Sequence, residues 1–485
     1  MRRIWCWTWV IVSGLCLALG CEKTDYEPVV FKKKLKDLEE RLATELAAGV
    51  PSAVPPDLAR RLDQLEKELA ETRQQVTEIS QMLAEHEREA RAAVLERLRQ
   101  LQAPVTADPD TGRILAIDLS QSRHENADLE QLAIFRQLES LALNGAQMNE
   151  ESFAIVARMA SLQRLVCDKS PATVQALAEL AGLRKLKYLQ LFRSDISDDG
   201  LAIVARYPAL EQLRIGQTRV SDAGIQHLTA LRGLRAIDLS DCTGVSDASL
   251  EKLAELPLTF LKVWGPSITD EGMKHVARMT RLTVLGLNDT AVTDQGFSHL
   301  STLSELTEIH LFRVKVGDPT MKTLSGLPKL SFLNLRDTMI SDRGLVDLAK
   351  LANLRVLDLS ETKSPGITDA SAAAFARMTN LEDLNLWSTA VGDACVQVIA
   401  QLPKLRRLNL DNTRITDAAI DHLPRMPQLV WLHLGSTQIS SQTVPTLSKL
   451  SRLRYLNVSF TNIDEDAFDE LYDALAPHQC EVVGP

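Results

Sequence analysis

The chain has 485 residues, is 45% hydrophobic and 24% charged, and carries a formal net charge of −10. An acidic balance without a basic stripe excludes nucleic acid as the expected partner, because phosphate recognition needs clustered Lys and Arg. The length would ordinarily mean several domains, but an internal repeat from residue 114 onward makes most of the chain one elongated array.

Arg2 and Arg3, an apolar run from Ile4 to Leu19, and then Gly20-Cys21 have the three-part layout of an export signal. Leu17-Ala18-Leu19-Gly20-Cys21 resembles a bacterial lipobox, with Ala18 where Leu is commoner. The resemblance implies removal of residues 1–20 and lipid on Cys21, which anchors the protein to the cell membrane or outer membrane with its repeats outside the cytoplasm. Glu22 in place of Asp implies the outer membrane under that family's sorting rule. An uncleaved anchor and ordinary cleavage are the alternatives. Residues 21–56 read as a tether: a short helix with Leu35, Leu38, Leu42 and Leu46 stops at Gly49-Val50-Pro51, and Pro55-Pro56 is a hinge. A longer helix is expected over 57–103. There Leu58, Leu62, Leu65, Leu69, Thr72, Val76, Ile79 and Leu83 take the a and d positions of a heptad. After Leu83 the seam passes to His86, Ala90, Ala93 and Arg97. At the helical rise, residues 57–101 would span roughly 65 Å. They read either as a stalk that forms a homo-oligomer or as a helix folded back in the same chain.

Residues 104–113 read as a capping turn, in which Asp108, Asp110 and Gly112 mimic the start of a calcium loop without its remainder. From 114 to 485 leucine recurs every 24 residues, from Leu138 and Leu162 to Leu354 and again from Leu381 to Leu453. Lys363, Ser364 and Pro365 mark a three-residue loop insertion between the two series. Within the unit starting at Leu330, Leu330, Leu333 and Leu335 suit a strand with its leucines inward and Phe332, Asn334 and Arg336 outward. Thr338 and Ile340 turn the chain. Ser341 then caps a helix, Asp342 favours the positive end of its dipole, and Leu345 and Leu348 form its apolar stripe.

These units, reading LxxLxLxxTxITDxGLxxLxxL, resemble the leucine-rich repeat family over about three quarters of the chain, in about fifteen units. The resemblance implies an α/β horseshoe solenoid, with parallel strands on the concave side and short helices on the convex side, preceded here by the α-helical coiled-coil neck. Similar cysteine-containing repeats occur in F-box proteins, but no F-box-like segment precedes these.

Cys167, Cys242, Cys395 and Cys480 occupy core registers too far apart for disulfides and read as buried thiols. His227, His275, His299 and His422 share one helix-side column because the repeat copied it, so no metal is expected. No cofactor is expected either, and no catalytic motif nominates an enzyme. The strand face is more informative. Trp264, Trp387 and Trp431, every tryptophan beyond the signal, take outward strand positions, with Tyr188, Phe192, Phe260, Phe312, Phe332 and Tyr455. Trp387, Arg407, Asp411, Trp431, His433 and Tyr455 form one candidate binding cluster, with aromatic platforms expected about 10 Å apart from the strand spacing. Phe260, Trp264, Glu308, His310, Phe312, Phe332 and Arg336 form a second. Arg214, Asp238 and Lys262 share a column and should pair as a charge ladder. The expected function is membrane-anchored recognition of a protein, peptide or glycan of the cell envelope. The alternative is a structural spacer that oligomerises through its coiled coil, with the aromatics packed sideways to stiffen the sheet.

Overall fold

A computed structural model of the chain describes residues 56–363 and 366–484, with a few single positions between 36 and 44. The export signal, Cys21 and most of the tether lie outside the described residues. Two compact units result: one runs to Ile114 and includes His124–Arg136, and the other comprises Leu115–Arg123 and Gln137 to the C-terminus.

In the first unit, Pro56–Gln100 forms one helix of 45 residues. It stops short of the expected 103 because Gln102 turns left-handed at φ 54°. The N–H groups of Gln102 and Ala103 return to the carbonyls of Arg99 and Leu98, closing the last turn as a Schellman motif. Leu65, Leu69 and Thr72 are buried within a single chain, so this stretch of the heptad seam is already covered. Gln81 to Ala93 is exposed throughout. Burial then returns at Val94 and Leu98, not at the expected His86, Ala90 and Ala93. Arg97 instead grips Asp128 with two parallel hydrogen bonds, Nε to Oδ1 at 2.7 Å and Nη2 to Oδ2 at 3.2 Å. Burial by itself would raise the Asp128 carboxyl, but Arg97 and the Glu125 N–H hold it below the ordinary carboxylate range. In the turn after Val105–Ala107, Asp108 Oδ1 accepts the N–H groups of Asp110 and Thr111 at 3.0 and 2.8 Å. The resemblance to a calcium loop is thus an Asx turn.

The second unit is a solenoid. From Ile114–Leu119 to Glu481–Val483, sixteen strands follow one another in chain order. Each is parallel to the next, with leucine against leucine, as in Leu333↔Leu357 and Leu408↔Leu432. The central strand residue of every unit from Leu141 to Leu456 is 0% exposed. Parallel strands sit about 4.8 Å apart while packed helices need 8–10 Å, so the stack curves with the strands inside.

Two further columns run along it. Where the repeat reads Thr, the hydroxyl donates to the carbonyl three residues back, as Thr338 to Leu335 at 2.6 Å and Thr413 to Leu410 at 2.6 Å, satisfying a buried carbonyl at the strand end. Between that Thr and the strand, one residue per repeat is left-handed: Lys169, Arg193, Gln217, Asp241, and so on to Phe460, all near φ 55–60°. In the repeat at Leu258 that residue is Gly265, at φ 127°.

The aspartate after each helix cap does more than favour the dipole. Asp318 accepts the N–H and the hydroxyl of Ser341, the cap of the next repeat, at 2.8 and 2.7 Å. Asp342 does the same for Thr368 at 2.9 and 2.6 Å, and the bond recurs from Asp198–Ser221 to Asp417–Ser440. The caps are therefore stitched to one another down the solenoid. The third residue of the helix is glycine where the carboxylate needs the space: a Cβ on Gly344 would lie 2.5 Å from Asp318 Oδ1. Elsewhere it is Ser249 or Thr320, whose hydroxyl bonds that oxygen instead.

Candidate functional site

Outward strand positions fall into three rows, set by the one-residue register between neighbours. Phe260, Glu308, Phe332, Arg407, Trp431 and Tyr455 lie in the first, and His310 and His433 in the second. Trp264, Phe312, Arg336, Trp387 and Asp411 lie in the third, where the strand gives way to the turn. All thirteen expected residues therefore share one face.

Their pairing differs from expectation. Trp431 and Tyr455 are not separate platforms but a stack, with centroids 5.1 Å apart and planes 6° from parallel. Arg407 covers Trp431 at 4.7 Å and holds Asp383 at 3.0 Å. His433 lies 4.0 Å from Asp411. Trp387 belongs elsewhere, under Arg336 at 4.8 Å, and Arg336 also covers Phe312 at 5.0 Å. One guanidinium thus links the two expected clusters. In the second of these, His310 bonds Glu308 and its ring sits 4.9 Å from Phe332. Neighbouring side chains are close enough on a sheet for long Arg and aromatic groups to find each other, which spacing along the chain cannot show.

The charge ladder is incomplete. Arg214 pairs with Asp238 as expected, at 3.9 Å, but Lys262 makes no ion pair among the described residues. Lys262 bends over Phe260 at 5.4 Å, with its stem lying on Gly286. Asp238 also accepts the N–H and hydroxyl of Ser240.

Burial shapes the titration of this face. It lowers the pKa of His310, against the opposing pull of Glu308, and that of His433, against Asp411. Both histidines are held toward the neutral form. Burial raises the Asp383 carboxyl, Arg407 opposing the rise and Asp358 adding to it. Three contributors escaped the sequence reading. Arg164 sits 3.6 Å from the Tyr188 ring, Arg313 sits 4.5 Å from Phe312, and Asp383 pairs with Arg407. Outward register was the available signal for Arg164 and Asp383, whereas Arg313 belongs to the left-handed column beyond the strand. Asn334, Asn385, Asn409 and Asn457 turn out to be structural acceptors: each Oδ1 takes the N–H two residues on, at 2.8–3.1 Å.

Family models described as leucine-rich repeat match residues 403–463 and 182–202. Those two segments are matched as leucine-rich repeats. No curated protein matches the chain. Among solved structures, an internalin from Listeria monocytogenes is 18% identical over 77% of this chain and 94% of its own, with a TM-score of 0.46. A leucine-rich repeat protein of Leptospira interrogans is also 18% identical, over 73% and 91%, at 0.48. The ectodomain of a plant membrane receptor kinase from Arabidopsis thaliana, solved in complex with Casparian strip integrity factor 2, is 16% identical over 72% of this chain and 50% of its own, at 0.37.

Within the solenoid Cys167, Cys242, Cys395 and Cys480 are free and buried. Burial pushes the Cys167 thiol up to about 12, which removes it from thiolate chemistry at neutral pH. His275 lies in the helix Asp270–Val276, while His227 and His299 lie in the following single turns of two other repeats. Among the described residues no group of three or more His, Cys, Asp or Glu is placed to hold a metal, and no helix is long and apolar enough to cross a membrane.

Proposed function

We propose that the protein is a recognition module, lipid-anchored through Cys21 outside the cytoplasm, whose strand face binds a protein, peptide or glycan of the cell envelope. The observation that carries this reading is the enrichment of one face. All three tryptophans beyond residue 20 stand on it half-buried, and Trp387 and Trp431 each lie under one guanidinium group, whereas the leucine core needs none of them. The anchor rests on the lipobox-like residues 17–21, and residues 57–101 remain the candidate oligomerising segment.

The test is tryptophan fluorescence of the full chain titrated with envelope extract, peptidoglycan fragments and glycans. A saturable shift that disappears in the Trp387→Ala/Trp431→Ala double variant is expected. An unchanged titration in that variant overturns the reading.

A spacer without a specific ligand is the second reading. The Arg407–Trp431–Tyr455 stack favours it, because these groups already satisfy one another. Ligand-independent assembly, seen by sedimentation and lost on disruption of residues 57–101, would support it.

A further inference from the structure

On the strand face, Arg214, Asp238 and Lys262 occupy the same row on three strands, with Asp238 between the two cations. A buried carboxylate between two bases ordinarily neutralises one of them. Here Asp238 is 4% exposed and turned to Ser240, whose N–H and hydroxyl it accepts at 3.1 and 2.5 Å. Arg214 Nε is buried and meets no acceptor among the described residues, while its Nη1 makes only a long ion pair with Asp238, at 3.9 Å. Lys262 makes neither a hydrogen bond nor an ion pair there. Both cations are gathered by one ring, Arg214 at 4.8 Å and Lys262 at 5.4 Å from the Phe260 centroid, and Tyr188 lies 5.9 Å from Arg214 on the other flank.

We infer that Arg214 and Lys262 form a binding site for a carboxylate carried by an acidic side chain of a partner protein. This deepens the recognition reading of the strand face and rests on it. The guanidinium is a rigid planar fork that suits a carboxylate edge, and the flanking rings preorganise it at little entropic cost. The protein as a whole is acidic, at −10, so two cations sharing the single carboxylate of Asp238 leave a local positive charge that is selective for an anion and is not part of a general basic surface.

A third donor separates a peptide from a lone anion. Trp264 Nε1 is buried and has no acceptor among the described residues, and Trp264 stands two residues beyond Lys262 on the same side of its strand. That step is about 7 Å, more than a single carboxylate spans, so the acceptor for the indole N–H belongs to another group of the same partner. A backbone carbonyl beside the acidic residue meets the requirement.

The test is fluorescence anisotropy of the full chain with a labelled hexaglutamate peptide, hexaglutamine as the neutral control, and inorganic phosphate as competitor. Saturable binding of hexaglutamate alone is expected. The Arg214→Gln/Lys262→Gln pair should weaken it about tenfold or more, as for desolvated charge pairs between partners. Trp264→Phe should weaken it less, and Arg454→Gln, at the far end of the solenoid, should leave it unchanged. Should the double variant misfold by circular dichroism, Arg214→Lys keeps the charge but loses the fork and should still weaken binding.

Equal binding by these variants overturns the proposal. So does equal binding of hexaglutamine, or displacement by phosphate at equal concentration, which would make the site a general oxyanion site. A negative result here, with envelope binding still dependent on Trp387 and Trp431, refutes this site alone. Failure of both refutes the recognition reading.

Discussion

Each repeat has two ends that behave differently. At the caps from Asp198 to Asp417 the chain spells nearly the same thing: Ser, Thr or Gly, then Asp, then two places on a Gly or another small residue, and each Asp accepts the N–H of the next cap. On the strand face the corresponding rows hold Phe260, Val284, Glu308, Phe332, Val356 and Asp383 in succession, with no rule. The repeat acts as its own control. What these ten aspartate caps keep constant holds neighbours together, and what the strands let vary is free of that duty, which is why recognition is sought on the strands and stability at the caps.

The comparison breaks most visibly at the caps. Asp222→Ala removes the acceptor of four hydrogen bonds, from the N–H and hydroxyl of Ser246 and of Ser249. A loss of about 3 kcal/mol is expected in urea unfolding, because buried donors are left without partners. A loss below about 1 kcal/mol would show the ladder to be incidental to stacking. The same residue gives a pH signature. Burial would raise Asp222, but the Ser246 and Ser249 donors hold its carboxyl below the ordinary value. A depressed folded pKa contributes stability that is fully present above the unfolded value near 4 and is lost as pH falls through the folded one. Stability should therefore decline below about pH 4, and less steeply in Asp222→Ala than in the parent.

Gly344→Ala comes next. Its methyl would press on Asp318 Oδ1 at 2.5 Å and on Ile340 and Met321 at 3.0 Å, at an expected cost of about 2 kcal/mol. Thermal unfolding with no change would mean that the carboxylate can shift freely, and the glycine column would lose its explanation. Ala419, fully buried at the equivalent place, sets the scale for how far one repeat can adapt.

On the strand face the expected stability effects are smaller. Tyr455→Ala removes the stack on Trp431 and should cost about 1 kcal/mol. A much larger loss would move the aromatics from recognition to architecture and favour the spacer. The smallest effect is expected at Phe460, left-handed at φ 57° and 85% exposed. Phe460→Asn relieves an unfavourable backbone and should stabilise by about 0.5 kcal/mol. Destabilisation would show that the phenyl group is packed in a way its exposure conceals.

Much of this was legible from the residues alone. A period of 24, inward leucines and the Thr-x-Ile-Thr-Asp signature specify the solenoid, because only stacking can bury an apolar stripe that each unit is too short to bury itself. The outward row of tryptophans and the buried cysteines were legible for the same reason: register follows from the two-residue period of a strand. Which outward groups meet was not legible. Sequence position places Trp387 with Trp431 and sets Arg214, Asp238 and Lys262 in a row, but the side chains lean across strands, so that Trp387 pairs with Arg336, Asp238 turns to Ser240, and Lys262 covers Phe260. The cap aspartate's second role, holding the cap of the next repeat, was not legible because that bond runs to a residue more than twenty positions away. Period and burial are local or repeated properties and so belong to the sequence. Cross-strand pairing depends on the space left by neighbours, and only the folded stack decides it.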